Sequence, residues 1–467
     1  MLRRNRLPSW RSASPSSPSS STSSNLTTQG DPVNEKHAER RAATRLYRYC
    51  GSPTAMLLAR RGYHVLLVDR ATFPSDTIST HVIHPTGIAA LNRWGLLDQL
   101  LSTGCPPVST HAFDFGPFTI AGSPGTDDSP AAYAPRRTVL DKLLADAAAS
   151  AGAEVRQGFT VQEVLTDGGR VTGIRGRGKG GHVVSEHARM VIGADGLRSA
   201  VAAAVRPQHY HDKPPLLCGC YAYGSGLPMA GRFENYIRPH RGWAACPTHD
   251  DLTVVVAGWP HAEFAANKTD IEGNYLKNFD LAPEFAERIR AANCETRIVG
   301  TTVPNYFRQP YGPGWALAGD AGYNKDPITA QGISDAFRDA ELCATALDQA
   351  LSGTRSYGEA MGRYQAARDE HVLPMYEFTT QLATLQPPPE ELRHLLAAIS
   401  RQPGGHGQLR TDQRRRDVTS GLLFPRKHRT RLRRIPRRCR ALTNVRSQTS
   451  HHGPAGTRPL PPPGKPR

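Results

Sequence analysis

The chain has 467 residues, 38% of them hydrophobic, and a formal net charge of +17 at pH 7. That length allows two or three domains with a large core, and the charge would ordinarily suggest an anionic partner. The charge is concentrated at the ends, however, because residues 1–50 carry net +6 and residues 401–467 carry net +16, whereas 51–400 carry net −5. The middle of the chain therefore has the composition of an ordinary globular protein, and nucleic-acid binding is not favoured despite the basic tail.

Two further classes of protein are excluded by what the sequence lacks. No apolar run reaches the roughly 18–20 residues that a membrane span needs. The eight cysteines include no Cys-x-x-Cys and no paired spacing typical of metal ligands. We therefore expect a cytoplasmic protein with reduced thiols and no metal site.

Residues 1–50 are predicted to lie outside the folded part of the chain. Residues 1–30 are rich in Ser and Pro, a composition shared by transit peptides and disordered segments. Residues 38–50 are basic and contain no apolar run of four residues, so no strand is predicted there. Our interpretation is a disordered segment or the product of an altered reading frame.

From Gly51 the sequence has the pattern of the second half of a dinucleotide-binding βαβ unit. Its apolar spacing predicts a helix that ends at Gly62, followed by a buried strand that ends at Asp69. In such a unit the acid at the end of the second strand binds ribose hydroxyls, which makes Asp69 our candidate for that role. Only Gly51, the last glycine of the expected fingerprint, is present. The two earlier glycines, which let the backbone approach a pyrophosphate, are missing.

The following elements alternate between helix and strand up to about residue 214. Apolar spacing predicts helices at Gly87–Leu97 and 136–150, strands at Val155–Val164 and Val171–Ile174 joined by a turn at Gly168-Gly169, and a buried strand at Met190–Ile192 that runs into Asp195-Gly196.

Residues 215–310 have a different sequence pattern, in which short runs of alternating apolar and polar residues are separated by clusters of turn residues. We predict a largely antiparallel sheet there. Two helices are predicted after it, at 332–350 and 356–385, with Pro374 interrupting the second. From about residue 401 the chain becomes Arg- and Pro-rich with almost no acid, and we predict a disordered basic tail or an altered reading frame at 401–467.

The most informative stretch is 314–340. A short buried strand, Trp315–Ala318, ends in Gly319-Asp320, a polar loop leads to Pro327, and a helix begins at Gly332. The carboxylate of Asp320 is suited to accept hydrogen bonds from sugar-alcohol hydroxyls. The helix start offers the N–H groups of Gly332, Ile333 and Ser334 and the positive end of a dipole to a carbonyl or an anionic ring.

These motifs are similar to those of the flavoprotein aromatic-ring hydroxylase family. Gly-Asp, Pro seven residues after the Asp and Gly twelve residues after it resemble the family's second FAD fingerprint, and Asp195-Gly196 followed by Arg198-Ser199 resembles its Asp-Gly motif. The resemblance covers about residues 51–400. It implies an α/β FAD-binding, Rossmann-like domain of the p-hydroxybenzoate hydroxylase type with an antiparallel-sheet substrate domain.

The resemblance also implies roles for individual residues. Asp320 would bind the ribityl chain, Pro327 would lie beside the flavin ring, and the Gly332–Ser334 backbone would face its pyrimidine end. Arg137 would contact FAD at the start of its helix. Asp195 and Gly196 would help to shape the site for FAD and the nicotinamide donor.

The implied domains are a first FAD-binding part at 51–214 with interleaved substrate-side segments, a substrate domain at 215–310, and a second FAD-binding part with C-terminal helices at 311–400. The implied activity is a monooxygenase that reduces FAD with NADH or NADPH, forms a flavin C4a-hydroperoxide with oxygen and hydroxylates a small organic substrate. No side chain is predicted to act as a catalytic acid or base.

Two alternatives remain open. One is a reductase of carbon–carbon double bonds, similar to geranylgeranyl reductases. The other is a degenerate, non-enzymatic member that cannot hold FAD because the glycine loop is lost, in which case the basic tail would be its binding activity.

Overall fold

The computed structural model describes residues 41–46, 48–77, 79–125 and 129–400, with side chains from Cys50 onward in these ranges. All of them belong to the first of two structural units, residues 1–408. The predictions made for 1–40 and 401–467 lie outside the described residues.

The described ranges contain eleven α-helices. They are α1 (Arg48–Ala59), α2 (Pro85–Trp94), α3 (Leu97–Leu101), α4 (Arg137–Ser150), α5 (Ala200–Val205), α6 (Phe264–Asn267), α7 (Ile271–Phe279), α8 (Pro283–Ala291), α9 (Gly332–Leu351), α10 (Tyr357–Leu382) and α11 (Glu390–Ser400), with single 3₁₀ turns at His261–Glu263, Gly319–Ala321 and Pro327–Thr329.

The strands form one mainly parallel sheet, one large, mainly antiparallel sheet and three smaller sheets. They are β1 (Arg41–Leu46), β2 (His64–Asp69), β3 (Pro107–Val108), β4 (Thr110–Asp114), β5 (Thr119–Gly122), β6 (Ala132–Tyr133), β7 (Glu154–Gln157), β8 (Thr160–Asp167), β9 (Arg170–Arg177), β10 (Val183–His187), β11 (Met190–Ala194), β12 (His209–Lys213), β13 (Leu217–Ser225), β14 (Arg232–Arg238), β15 (Arg241–Pro247), β16 (Thr253–Pro260), β17 (Asn293–Cys294), β18 (Val299–Thr302), β19 (Asn305–Arg308), β20 (Tyr311–Gly312), β21 (Trp315–Leu317) and β22 (Tyr323–Asn324).

The first sheet has the order β20-β21-β11-β1-β2-β7, and all its pairs except β20–β21 are parallel. One face packs on helices, where Leu67 and Ile192 belong to the same buried cluster as Met56 of α1 and Phe337 of α9. The other face packs on the β8-β9-β10 ribbon. Parallel strands buried on both faces read as continuous apolar runs, which explains the composition of β2 and β11.

The prediction that residues 38–50 contain no strand is wrong. Strand β1 occupies Arg41–Leu46 at the interior of the sheet, where Ala42 pairs with Met190 on one side and Val65 on the other. The error has a physical reason: the strand is defined by backbone hydrogen bonds to two neighbours that lie far away in sequence, and such tertiary pairing overrides local β-propensity.

The large sheet has the order β17-β13-β16-β15-β14-β4-β5, with β18 also paired to β13. Its pairs are antiparallel except β14–β4, so the predicted largely antiparallel sheet is present. Strands β4 and β5 come from the earlier part of the chain, whereas the others lie between Leu217 and Thr302. The sheet is therefore assembled from two separate segments.

Several local predictions are confirmed and two are wrong. The Gly168-Gly169 turn joins β8 and β9, with φ of +53° and +79°. The single strand predicted at Val155–Val164 is divided into β7 and β8, because Gly158 turns the chain with φ +69°. Pro374 does not interrupt its helix: α10 continues to Leu382, held by Val372 and Tyr376, which are buried against Phe307.

No helix within the described ranges combines the length and the apolar character that crossing a bilayer requires.

Candidate functional site

The carboxyl edge of the parallel sheet gathers the predicted site residues. Strands β21, β11, β1 and β2 are adjacent and parallel, so their carboxyl ends meet at one edge. Asp69 is the last residue of β2, Asp195 directly follows β11, and Asp320 lies three residues after β21. Ligands of open α/β sheets bind at this edge, outside the carboxyl ends of the strands.

Asp320 lies in a tight turn that is sterically fixed. Gly319 has φ +58°, and a Cβ atom there would lie 3.0 Å from Cβ of Cys50 in α1, so only glycine allows this approach. The Asp320 side chain is partly exposed. Burial by the surrounding protein raises its pKa to about 6, against the opposing effect of Lys325. Its carboxyl group is of the chemical type that exchanges hydrogen bonds with hydroxyl groups of a ligand.

The start of α9 borders open space at Gly332, which has no side chain to fill it. Gly332 is exposed, and a Cβ atom built on it would meet nothing within 4 Å. Ile333 and Ser334 are buried, and the preceding Gln331 makes no side-chain cap to the first N–H groups. A twenty-residue helix thus presents its positive end to open space.

A buried ion cluster supports the first turn of α9. Asp335 pairs with Lys325 and with Arg338, whose Nη1 lies 2.8 Å from Oδ1. Burial alone would raise the pKa of Asp335, but Lys325 and Arg338 hold it at about 2. The carboxylate therefore stays ionised and pairs with both cations beside the helix start.

Pro327 begins a single 3₁₀ turn between Asp320 and α9. The turn is capped by Asp326, whose Oδ1 accepts from N–H of Ile328 at 3.1 Å, and it ends at Ala330 with φ +52°. Pro327 itself is partly exposed. Burial raises the pKa of the Asp326 carboxyl to about 7.

At the opposite end of the edge, Asp69 is buried and its Oδ1 accepts from N–H of Ala71 at 2.8 Å. Gly51 lies within α1, which begins at Arg48, directly after β1. Counting back from Gly51 in a G-x-G-x-x-G fingerprint, the two earlier glycines fall on Leu46 and Arg48. The strand of the dinucleotide-binding unit is thus present, but its phosphate-approaching glycines are replaced.

Arg137 is the first residue of α4 and is almost fully buried, with 1% of its surface exposed. It makes a bidentate pair with Asp141, with Nε–Oδ1 at 2.9 Å and Nη2–Oδ2 at 2.8 Å. Arg137 is also close enough to Asp320 to lower the pKa of that carboxyl. The structure therefore brings Arg137 to the Asp320 end of the site.

Asp195 and Gly196 form the turn between β11 and α5. Oδ2 of Asp195 accepts from N–H of Ala200 at 2.7 Å, and Ser199 caps the same helix by accepting from N–H of Ala202 at 3.0 Å. Gly196 has φ +74°, a conformation that favours glycine. This pair of residues fixes the direction of the chain as it leaves the sheet edge.

A basic cavity of about 510 Å³ adjoins this turn. Its basic lining consists of Arg198, Arg206 and Arg308, with His209 beside them, and none of its lining residues is acidic. Nη1 of Arg308 donates to the carbonyl of Ala321 at 3.0 Å, which connects the cavity to the Asp320 turn. The sequence analysis did not find Arg206, His209 or Arg308, because the cavity forms only where Arg308 of β19 meets the segment that follows α5, and no local motif joins these two parts of the chain.

The large sheet faces the site with a tyrosine-bearing surface. We define the tyrosine face as the side of the sheet that carries Tyr221, Tyr223, Cys246 and Val254. It packs against Val82 and against Ala330, the residue that ends the Pro327 turn, and α7 and α8 cover the opposite side of the sheet. The tyrosine face is therefore next to the predicted flavin site.

Three buried histidines line this junction. Nε2 of His84 lies 3.2 Å from the carbonyl of Thr329, its backbone N–H donates to Oγ of Ser334 at 3.0 Å, and its ring lies 5.9 Å from that of His111. Nε2 of His81 makes a short hydrogen bond with the Tyr223 hydroxyl. Burial lowers the pKa of His84 to about 4 and that of His81 and His111 to about 3, so all three are neutral at pH 7.

The residues at the edge fit FAD at its flavin end. The open space outside Gly332, the positive end of α9 and the partly exposed Asp320 suit an electron-poor ring and its polyhydroxyl chain. The buried carboxylate of Asp69 suits the adenosine ribose. The diphosphate end has the strand and Gly51 but not the earlier glycines. Among the described residues, no cluster of His, Cys, Asp and Glu is suited to hold a metal ion.

The sequence profile of the FAD binding domain family matches residues 49–379. The chain belongs to this family. It is an FAD-dependent oxidoreductase, and the predicted α/β FAD-binding fold with an antiparallel-sheet domain is confirmed. The individual site residues and the domain boundaries stay predictions.

Relatives of this FAD-binding chain carry several activities. Digeranylgeranylglycerophospholipid reductase 1 of Methanopyrus kandleri is 27% identical over 304 residues, which is 62% of this chain and 77% of the relative. Phenazine 1,6-dicarboxylic acid hydroxylase PhzS of Lysobacter antibioticus is 26% identical over 358 residues, which is 68% of this chain and 84% of the relative.

Among solved structures, the myxobacterial chondrochloren halogenase CndH superposes with a TM-score of 0.69 at 23% identity, covering 78% of this chain and 90% of the halogenase. This likeness establishes the fold alone.

Proposed function

We propose that the chain is a monooxygenase that reduces FAD with NADH or NADPH and uses oxygen to hydroxylate a small organic substrate. The observation that carries this proposal is the junction between the start of α9 and the tyrosine face, where an FAD-compatible helix end meets buried polar side chains of the large sheet. Bound FAD would supply the redox chemistry and the activation of oxygen.

The residues of the sheet edge would hold the cofactor. Asp320 would accept hydrogen bonds from the ribityl hydroxyls, Asp69 would bind the adenosine ribose, and Pro327 would lie against the ring. The backbone of Gly332, Ile333 and Ser334 would face the pyrimidine end. There the helix dipole would stabilise negative charge by about 0.3–2 kcal/mol.

The basic cavity supports a pyridine nucleotide as electron donor. Its three arginines provide positive charge without a lining carboxylate, which suits the diphosphate of NADH or NADPH. Asp195 and Gly196 shape the wall of this cavity through α5. Arg308 would connect the donor to the flavin end through its hydrogen bond to Ala321.

The tyrosine face would bind the substrate. Its apolar surface is suited to a small organic molecule, while His81, His84, His111 and the two tyrosines add polar groups. A site that mixes apolar walls with a few placed polar groups orients a ligand as well as burying it.

A reductase of carbon–carbon double bonds is the second candidate. It is favoured by the 27% identity to a digeranylgeranylglycerophospholipid reductase over 77% of that relative. The two candidates differ in their use of oxygen, since a hydroxylase adds an oxygen atom and a reductase adds two hydrogens.

The test is turnover of the FAD-loaded chain with NADH and NADPH in air, in ¹⁸O-labelled oxygen and under nitrogen, with panels of phenols and of isoprenoid alkenes. We expect a phenol product heavier by one ¹⁸O atom and no product under nitrogen. A saturated alkene formed under nitrogen would favour the reductase and contradict the monooxygenase.

The cellular location stays a proposal as well. The seven cysteines of the described ranges are free thiols, which suits a reducing compartment, and we propose the cytoplasm.

A further inference from the structure

The basic cavity beside the Asp195-Gly196 turn has more cations than the diphosphate of a nicotinamide donor needs. Arg198, Arg206 and Arg308 line it, and no Asp or Glu is among its described lining residues. A dinucleotide diphosphate has one negative charge on each phosphate group, so it leaves one of the three arginines without an anion. The cavity therefore suits a ligand with an additional anionic group.

Arg308 is held at the flavin side of this cavity by contacts within the protein. Its Nε donates to Nε2 of His209 at 3.1 Å, its Nη1 donates to the carbonyl of Ala321 at 3.0 Å, and its guanidinium lies 4.5 Å from the centroid of the Tyr306 ring. Arginine has only donors, so His209 accepts at Nε2 and adds no positive charge in this arrangement. Nδ1 of His209 lies 3.3 Å from Oδ1 of Asp212, which does not line the cavity.

The other two arginines are not committed to partners in the protein. Both Arg198 and Arg206 are exposed, and neither guanidinium has a hydrogen bond or an ion pair to the residues that the structure describes. Arg198 precedes α5, and Arg206 ends it. A helix of this length separates its two ends by about 9 Å, so the two guanidinium groups can bind different anionic groups of one ligand.

Arg206 has a backbone conformation that an arginine seldom adopts. Its φ is +47°, and its N–H donates to the carbonyl of Ala202 at 2.9 Å. Helices that end in this left-handed conformation commonly have glycine there, because a Cβ atom makes the conformation strained. Strain of this kind is concentrated at binding and catalytic sites. At this position the arginine side chain offers its charge to the cavity.

NADH and NADPH differ at one position, the 2′ position of the adenosine ribose, which carries a hydroxyl in NADH and a phosphate in NADPH. A carboxylate recognises the hydroxyl, whereas an arginine accommodates the phosphate. We propose that the basic cavity binds NADPH, and that Arg206 pairs with the 2′-phosphate and selects NADPH over NADH. Arg198 and Arg308 then pair with the diphosphate. This inference rests on the proposed function and names its electron donor.

The preference is tested by equilibrium dialysis of NADP⁺ and NAD⁺ against the full-length chain with FAD added. We expect NADP⁺ to bind about tenfold more tightly at low salt, as one additional charge-assisted pair allows. The difference should become smaller as the salt concentration rises, because the pair is exposed to solvent.

A substitution that suits the backbone separates the charge of Arg206 from the stability of the fold. Arg206→Gly should reduce the preference for NADP⁺ to below about twofold, while the urea midpoint is unchanged or higher because glycine adopts this φ without strain. Arg206→Lys should keep a preference of at least about threefold, because it keeps the charge. Arg177→Ala removes an exposed arginine of β9 outside the cavity and should leave the preference unchanged.

The position of the additional phosphate is tested with adenosine 2′,5′-bisphosphate and adenosine 3′,5′-bisphosphate, which have equal charge. We expect the 2′,5′ isomer to bind at least about threefold more tightly, since an arginine fork selects by geometry as well as by charge. Tighter binding of the 3′,5′ isomer would overturn the proposal and assign the cavity to a 3′-phosphoadenosine group such as that of coenzyme A.

Equal binding of NADP⁺ and NAD⁺ by the wild type would overturn the proposal. So would a preference that survives in Arg206→Gly, or one that is lost equally in Arg177→Ala. Because binding is measured without turnover, these outcomes are independent of the proposed activity. A chain that selects NADP⁺ but hydroxylates nothing would contradict only the proposed function, and a monooxygenase without the preference would contradict only this inference.

Discussion

Replacing Asp320 by Asn should change stability and FAD binding in opposite directions. Burial raises the pKa of this carboxyl from 3.8 to about 6, so the folded chain binds the proton more tightly than the unfolded chain does. The stabilisation is complete below the unfolded pKa and is lost as the pH rises through the folded pKa. At pH values above the folded pKa, the ionised carboxylate is held in an environment that disfavours its charge.

The size of this effect follows from the two pKa values. A shift of about two units corresponds to about 3 kcal/mol at neutral pH, of which about 1.4 kcal/mol develops between pH 5 and pH 7.5. Asn cannot ionise, so Asp320→Asn avoids this cost. The stability of the FAD-free variant relative to wild type should therefore increase by about 1 kcal/mol between these two pH values, after allowance for partial exposure.

FAD affinity should respond in the other direction. A carboxylate gives stronger hydrogen bonds to ribityl hydroxyls than a neutral amide, and the difference is worth about tenfold in Kd at pH 7.5. Urea unfolding at pH 5 and pH 7.5 and titration with FAD at pH 7.5 measure the two effects. Asp167→Asn, at an exposed carboxylate that ends β8, is the control. Equal stability differences at both pH values, or an unchanged FAD affinity, would refute the reasoning.

Three other substitutions test the supporting structure. Arg137→Met should destabilise the fold by about 3–5 kcal/mol because it leaves the Asp141 carboxylate buried without its cation, and adding Asp141→Leu should restore most of this loss in urea unfolding. Gly319→Ala should destabilise the fold by about 1–3 kcal/mol, because φ is +58° and the new methyl group would press on Cys50. Arg308→Ala should raise KM for NADPH about tenfold and weaken its salt dependence, with a smaller effect on kcat.

Matched control variants separate these local effects from a general loss of fold stability or of surface charge. Gly332→Ala adds a methyl group into open space at the start of α9, so it should leave urea unfolding nearly unchanged while it weakens FAD binding. Arg175→Ala, at an exposed arginine of β9 outside the basic cavity, should not change KM for NADPH. A stable Gly319→Ala variant, or equal KM values for the Arg308 and Arg175 variants, would contradict the structural account.

Structural elements formed by consecutive residues could be predicted from the sequence. Gly319-Asp320, Pro327 and Gly332 form one short segment whose strand, turn and helix follow from local sterics and capping, and the structure has each element in the predicted order. The same holds for Gly196, whose positive φ explains its place beside Asp195.

Features defined by distant partners were missed. Strand β1 is specified by its pairing with β2 and β11, and the continuation of α10 past Pro374 is stabilised by packing on Phe307. The pair of His81 and Tyr223 joins residues 142 positions apart, which no local pattern indicates. Such contacts are determined by tertiary structure, so they become visible only when the elements are assembled.

The most direct test of the account is whether the purified full-length chain holds FAD. We predict that flavin absorbance stays with the protein through gel filtration, with FAD added beforehand if none co-purifies. The reason is that strand β1 is present and that Asp69, Asp320 and the start of α9 lie at the carboxyl edge of its sheet. A folded but colourless protein that leaves added FAD in the late fractions would contradict this claim. It would show that the glycines replaced at Leu46 and Arg48 are indispensable for holding the cofactor.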